Sequence, residues 1–262
     1  MNKLIACAGA LLVGLASFGA AAPVRAAEAV AIPSQSWSFD GIFGTFDRAA
    51  LQRGLQVYNE ACSACHGLGY VAFRNLGGDD AHGGLGYSED EVKAIAALYS
   101  VVDGPDDDGE MFEREAIPSD RFPQPFPNDK AAAAANGGAV PPDLSLMAKA
   151  RAGGPDYIYA LMTGYEDPPA DFEMTEGLNY NRYFAGHQIA MAQPLFDDAV
   201  EFADGTPATV DQMARDVSHF LMWAAEPTLE TRKQTGLKVL LFLIVFTGLL
   251  YAVKRKVWAD LH

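Results

Sequence analysis

Cys62-Ser63-Ala64-Cys65-His66 is the stretch that decides the fold of this 262-residue chain. Two cysteines separated by two residues at the start of a helix place their sulfurs at the distance between the vinyl groups on one edge of a porphyrin. A histidine directly after the second cysteine then lies beneath the iron and supplies an axial nitrogen. The motif therefore predicts one haem c, bound covalently through Cys62 and Cys65, with His66 as a ligand of the iron.

The same cysteine spacing occurs in three other kinds of site. A redox dithiol of the thioredoxin type needs a βαβ context, and the sequence shows no such alternation. Half of a zinc site would need a second cysteine pair, but the only other cysteine is Cys7. An incidental disulfide is the third alternative. The histidine at the next position favours haem attachment over all three.

Helical spacing of apolar residues recurs on both sides of the motif. One predicted helix leads directly into Cys62, and a short one covers residues 155–165. Two more begin at Ser88 and Thr209, each followed three residues later by Glu or Gln, which is the pattern of a capping box. Long loops rich in Gly and Pro separate these helices. The predicted fold class is mainly α: a c-type cytochrome domain with long loops packed on one haem, plus one C-terminal transmembrane helix.

A long apolar run, residues 239–253, lies near the C-terminus. As a helix it would be about 22 Å long, whereas the hydrocarbon core of a bilayer is about 30 Å thick. Lys238 and Lys254 can reach the interfaces and close this deficit. The alternative is a buried core helix, but the basic cluster 254–256 favours a membrane span. We expect a linker from about Pro227 to lead into this anchor.

The first residues have the features of a secretory signal peptide. Lys3 precedes an apolar stretch, 4–22, and small residues suit cleavage after Ala26. An uncleaved anchor is the alternative.

Together with the basic cluster after the C-terminal run, this signal predicts four segments and a location. The location is the bacterial inner membrane, crossed once, with the haem domain in the periplasm. The segments are a signal peptide (1–26), a periplasmic cytochrome c domain (27–236), a transmembrane anchor (237–256) and a cytoplasmic tail (257–262).

The exported body is strongly acidic. Residues 27–236 contain 13 basic and 33 acidic side chains, which gives a net charge of −20 compared with −15 for the whole chain. Phosphate binding needs a basic patch, so this balance argues against nucleic acid as a partner. It favours a basic protein partner instead. The densest acidic run is 103–110.

The second axial ligand is less determined by spacing. Met191 lies in an apolar loop made rigid by Pro194, far along the chain from His66. His82, in a glycine-rich loop, is an alternative. The histidines His187 and His219 also remain possible, whereas four methionines lie in apolar helical patterns where core packing is the better interpretation: Met147, Met162, Met213 and Met222.

In several separate stretches the sequence resembles the cytochrome c1 family, the haem subunit of ubiquinol–cytochrome c reductase (the bc1 complex), in its bacterial form. The stretches follow the family's order between Trp37 and Trp258: 53–58, 103–105, 109–112, 125–128, 136–145, 161–165, 189–192, 204–209 and 223–227.

The resemblance implies roles for individual residues. His66 and Met191 would be the axial ligands, and Arg151 and Tyr157 would hold a haem propionate. An arginine suits that task because its planar fork pairs with a carboxylate. Many bacterial relatives have an extra cysteine pair for a disulfide, which this sequence lacks.

The resemblance also implies a function. The chain would relay single electrons from a Rieske iron–sulfur protein to a soluble, basic cytochrome c, within a membrane complex that contains cytochrome b. The isolated chain would carry out no bond chemistry, and the enzyme would be the whole complex. Two alternatives fit parts of the sequence: a free-standing, membrane-tethered cytochrome c electron shuttle, and a zinc-stabilised interaction module.

Overall fold

The computed structural model describes residues 30–78 and 83–261, so the predicted signal peptide and His82 lie outside the described residues. Helices dominate, which confirms the mainly α class. The α-helices are α1 Arg48–Val57, α2 Glu89–Ala97, α3 Asp129–Ala135, α4 Met147–Ala150, α5 Pro155–Thr163, α6 Val210–Ala225 and α7 Leu229–Val257. Short strands form two antiparallel pairs, β1 Ser100–Asp103 with β2 Phe112–Glu115, and β3 Asn179–Tyr180 with β4 Gln188–Ile189.

The core lies where α1 packs on α6. One face of α6 is almost fully buried, including Met213, Val217 and Phe220, and α4 and α5 pack on the same helix. The backbones of α1 and α6 approach closely at Gly54, where a Cβ would lie 2.1 Å from the Asp216 carbonyl oxygen. A side chain at position 54 would therefore push α1, and the motif that follows it, away from α6.

An ion network joins the same two helices. Arg53 Nε lies 2.7 Å from the Asp216 carboxylate, and Arg53 Nη1 lies 2.8 Å from Asp204. Asp216 is only 1% exposed, and burial raises the pKa of its carboxyl although the bond from Arg53 opposes this. Hydrogen bonds from Thr206 and Arg53 lower the pKa of Asp204 to about 2. The network holds α1 in place just before the Cys-X-X-Cys-His motif.

Local sequence signals predicted three helix starts that the structure confirms. The Ser88 hydroxyl accepts from the Glu91 N–H, and the Glu91 carboxylate accepts from the Ser88 N–H at 2.8 Å, which completes a capping box. The Thr209 hydroxyl accepts from the N–H of Gln212 at 3.1 Å. The third helix, α5, starts at Pro155, a favoured first position.

The two strand pairs were not predicted. β1 and β2 pair from Ser100 with Glu115 to Asp103 with Phe112, and the acidic run occupies the turn between them. Arg114 contacts the carboxylates of Asp103 and Asp120 at 2.5 and 2.6 Å, so part of the acidity is neutralised within the hairpin. The second pair, β3 with β4, comes just before Met191 in the chain.

α7 is the one helix in the described part of the chain that is long and apolar enough to cross a membrane. Its 29 residues would extend about 44 Å. The predicted linker before the anchor is wrong, because only residues 226–228 separate α6 from α7 and the first turn of α7 is buried at Leu229 and Glu230. Apolar burial and the bond from Arg48 to Glu230 keep this turn helical.

Candidate haem site

The Cys-X-X-Cys-His motif follows α1 through a wider helical turn, Tyr58–Cys62. The Ser63 N–H donates to the Tyr58 carbonyl at 2.8 Å, and the His66 N–H donates to the Cys62 carbonyl at 2.9 Å. The Tyr58 hydroxyl donates to the His66 carbonyl at 3.0 Å. The motif is therefore held in one turn of backbone that starts on a buried helix.

His66 is oriented by a backbone carbonyl from a distant part of the chain. Its Nδ1 lies 2.8 Å from the Pro142 oxygen and donates to it, which leaves Nε2 as the nitrogen for a metal. Burial lowers the pKa of His66, against the opposing effects of the Pro142 carbonyl and Asp143. A neutral imidazole with a fixed tautomer is the form that binds iron.

Residues 142–145 clasp the chain just after the motif, and we call them the 142–145 clasp. The Leu144 N–H donates to the Gly67 carbonyl at 2.8 Å, and the Gly69 N–H donates to the Asp143 carboxylate at 2.8 Å. Burial raises the pKa of Asp143, but hydrogen bonds from Ser145, Gln124 and Gly69 outweigh it and hold that pKa below its usual range. The clasp fixes the Pro142 carbonyl against His66.

The two motif cysteines are not joined to each other. Cys65 is exposed, and burial raises the pKa of the Cys62 thiol to about 12. Reactive dithiols have a lowered thiol pKa, so this environment does not suit a redox dithiol. Among the described residues, no group of three or more His, Cys, Asp or Glu side chains is placed to hold a metal ion, so nothing there supports the zinc alternative.

Met191 is partly buried against the hydrophobic core, as Cys62 is. Its carbonyl accepts from the Tyr165 hydroxyl at 3.0 Å and from the Asn179 side-chain amide at 3.4 Å. Burial and the neighbouring Tyr157 raise the pKa of Tyr165, which therefore stays a protonated donor. These two hydrogen bonds hold the backbone of Met191, and its thioether sulfur remains available as a ligand.

The four other methionines of the helical patterns pack in or against the core, as expected: Met147, Met162, Met213 and Met222. His219 is 4% exposed on α6 and accepts from the Asp47 N–H, so it packs within the core. His187 has a positive φ of 60° and stacks on Tyr180. Its Nδ1 is buried and has no hydrogen-bond partner in the described part of the chain.

Arg151 directly follows α4, and Tyr157 lies in the first turn of α5. Arg151 is exposed, and its guanidinium makes no hydrogen bond or ion pair with the described residues. Burial raises the pKa of Tyr157, and the positive charge of Arg151 opposes this, so the two side chains influence each other. Tyr157 also influences Tyr165, which links the pair to the Met191 region.

The sequence did not reveal the roles of Pro142, Asp143, Tyr165 and Asn179. Each acts through a contact with a residue far along the chain, so no local spacing signals it. The compact Pro141-Pro142-Asp143 stretch was the one visible hint, because a rigid backbone followed by a capping carboxylate suits a fixed contact.

The donor set fits a haem. It combines two free thiols separated by two residues, an imidazole whose other nitrogen is hydrogen-bonded, a thioether on a fixed backbone and a guanidinium without a partner among the described residues. A site of this kind, in a mainly helical domain that is followed by one long apolar helix, is typical of membrane-anchored cytochromes. A sequence profile of the Cytochrome C1 family matches residues 37–261. The chain belongs to the cytochrome c1 family, as the resemblance indicated.

Individual relatives agree with this assignment. The chain is 52% identical over 247 residues to cytochrome c1 of Rhodospirillum rubrum, covering 88% of this chain and 89% of that protein. It is 50% identical over 237 residues to "Cytochrome c1 1, heme protein, mitochondrial" of Arabidopsis thaliana, covering 90% and 75%. It is 52% identical over 249 residues to "Cytochrome b/c1" of Bradyrhizobium diazoefficiens, covering 88% of this chain but only 36% of that longer protein.

Proposed function

We propose that this chain is the one-electron relay of a quinol–cytochrome c oxidoreductase complex. It receives electrons from a Rieske iron–sulfur protein and passes them to a soluble, basic cytochrome c, while cytochrome b oxidises the quinol. The observation that carries this proposal is the clasped Cys62–His66 motif in a chain of the cytochrome c1 family. The fusion name of the Bradyrhizobium relative, b/c1, supports cytochrome b as a partner.

Haem c, when bound, supplies an iron that alternates between the ferrous and ferric states. Cys62 and Cys65 attach the group, and His66 and Met191 ligate its iron. The Pro142 carbonyl holds the His66 ring in one tautomer, and the Tyr165 hydroxyl holds the Met191 backbone. Arg151 and Tyr157 bind a propionate. A thioether ligand favours the ferrous state and raises the reduction potential, which suits an acceptor of quinol electrons.

The proposed arrangement has the haem domain, 27–236, in the periplasm after removal of residues 1–26. The anchor, 237–256, crosses the inner membrane and leaves the tail, 257–262, in the cytoplasm. The basic residues Lys254, Arg255 and Lys256 lie in the last turn of α7, as expected on the cytoplasmic side. A free-standing shuttle remains the alternative that purification must exclude.

Purification in mild detergent through a tag on this chain tests membership of the complex. We expect cytochrome b and a Rieske protein to co-purify with a haem-bearing chain that keeps its haem after denaturation. Recovery of the haem-bearing chain alone, from membranes that do contain cytochrome b, would support the shuttle instead. Loss of haem on denaturation would refute covalent attachment.

The Met191→Leu variant tests the axial ligand. Removal of the thioether should lower the reduction potential and allow carbon monoxide to bind the ferrous iron. Met213→Leu is the matched control, because it makes the same change at a fully buried core position. An unchanged potential and spectrum in Met191→Leu would assign the sixth ligand to another residue.

A further inference from the structure

Residues 38–45, which we call the 38–45 loop, form a closed loop just before α1. The Thr45 N–H donates to the Ser38 carbonyl at 3.0 Å, and the Ser38 hydroxyl donates to the Thr45 carbonyl at 2.8 Å. Within the loop, a Cβ on Gly44 would lie 2.0 Å from the Asp40 carbonyl oxygen, so only glycine fits this turn. The loop is therefore a tight structure of defined shape.

The tip of the 38–45 loop exposes two large apolar side chains. Ile42 is 67% exposed and Phe43 is 81% exposed. In contrast, Phe39 and Phe46 are each 5% exposed and pack against the ring of His219. The same short stretch thus buries two aromatic rings and directs a third outward beside an isoleucine. Neighbouring apolar side chains on a surface indicate a contact with something apolar.

The loop lies along the first turns of α7. The Glu230 carboxylate accepts from the Phe46 N–H at 2.6 Å. Three residues further along α7, the Lys233 ammonium donates to the Gly44 carbonyl at 3.4 Å and also to the Phe39 carbonyl. The contacts therefore move three residues toward the membrane end of α7 between Phe46 and Gly44, the residue next to the tip.

The position of Lys233 along α7 brings the adjoining part of the loop to the level of the lipid headgroups. The rise from Lys233 to Val239, where the apolar run begins, is about 9 Å. The headgroup layer on each side of the hydrocarbon core is roughly 5–8 Å thick. Leu237, one turn beyond Lys233 on the same helix face, is partly covered, whereas Val239 is 48% exposed. Lys233, which contacts the Gly44 carbonyl next to the tip, therefore lies close to the outer edge of the headgroup layer.

The helix face below the loop favours lipid as the occupant. Leu241 and Ile244 continue the face of Lys233 and Leu237, and they are 56% and 69% exposed. Helices that pack together in membranes meet through small residues, and these two side chains are bulky. Lys238, which is exposed and directly precedes the apolar run, suits phosphate headgroups.

We propose that the 38–45 loop inserts Ile42 and Phe43 into the interfacial layer of the bilayer that α7 crosses, as a second membrane contact of the chain. This inference rests on the α7 span and not on the proposed electron-transfer partners. It assigns to the loop a partner of defined chemistry, the phospholipid interface.

Site-specific photocrosslinking in the full-length chain tests the proposal in native membranes. A benzophenone side chain replaces Phe43 in one variant and Ile42 in a second. Leu98 is the matched control, because it is also 81% exposed but lies at the end of α2. Leu240, in the apolar run, serves as the positive control for lipid adducts.

We expect phospholipid to be the main adduct at Phe43 and Ile42, as at Leu240, and to be absent at Leu98. Mass spectrometry of the crosslinked peptides identifies the adducts. Two outcomes would overturn the proposal: no lipid adduct at either loop position, or a membrane subunit of the complex as the main adduct. The second outcome would assign the loop to a protein interface.

Discussion

The Tyr165→Phe substitution removes one hydroxyl from the groups that hold the Met191 backbone and leaves the ring in place. The Tyr165 hydroxyl donates to the Met191 carbonyl at 3.0 Å, and the only other donor found to this oxygen among the described residues is Asn179, at 3.4 Å. A net contribution of about 0.5–1.5 kcal/mol is typical of such a hydrogen bond. Because about 1.4 kcal/mol corresponds to a factor of ten, release of the Met191 loop should become about 2- to 12-fold more favourable.

Binding of imidazole to the ferric protein measures this release. With Met191 as the proposed ligand of the iron, added imidazole would bind only after the thioether leaves, so the limiting binding rate at high imidazole should rise about 2- to 12-fold in Tyr165→Phe. Tyr159→Phe is the matched control, since it removes a tyrosine hydroxyl bonded to Asp211, away from Met191. Equal rates in Tyr165→Phe and the unmodified chain, or the same acceleration in the control, would refute a role of this hydroxyl in holding the ligand.

Three further predictions follow from the charges of the domain. Arg53→Met should lower the free energy of unfolding by about 3–5 kcal/mol in urea titrations, because it leaves the carboxylate of Asp216 buried without its partner; a loss below about 1 kcal/mol would contradict this. Burial lowers the pKa of His219 to about 4. As the pH falls from about 6.5 to about 4, the unfolded chain therefore binds a proton at this residue and the folded chain does not. The free energy of unfolding should fall by up to about 3 kcal/mol over this pH range. His219→Gln should flatten that pH dependence, and an unchanged slope would assign it to other groups. Electron transfer to a basic cytochrome c should slow steeply as the salt concentration rises, because charges are screened beyond about 8 Å at physiological ionic strength. Stopped-flow rates that do not depend on salt would show that docking is governed by apolar contacts instead.

Local signals in the sequence were sufficient to predict α1, α2, α5, α6 and the apolar part of α7, whereas the short helix α3 was not predicted. The capping pair at Ser88 and the proline at position 155 each act within one helical turn, so the sequence contains the whole interaction. The Cys62–His66 motif is equally local, because its residue spacing is contained within five residues. The strand pair β1–β2 was missed because neither strand alternates apolar and polar residues along its sequence: β1 is Ser-Val-Val-Asp and β2 is Phe-Glu-Arg-Glu.

Contacts across the chain could not be predicted from such signals. The bond between His66 and the Pro142 carbonyl joins residues 76 positions apart, and the bond between Tyr165 and the Met191 carbonyl spans 26. Nothing in the local composition around either acceptor specifies its partner. The predicted linker failed for a related reason: Pro227 ends α6, but the burial of Leu229 and Glu230 against the domain starts the next helix at once.

The three-residue junction between α6 and α7 also restricts how an electron carrier of this kind can work. The anchor helix α7 begins inside the core of the domain without a flexible linker, so the domain stays at one height above the bilayer. Carriers that exchange electrons over short distances must come into contact, and at least one of each pair has to travel. Because this domain keeps a fixed height above the bilayer, its electron donor and its electron acceptor are the partners that have to move.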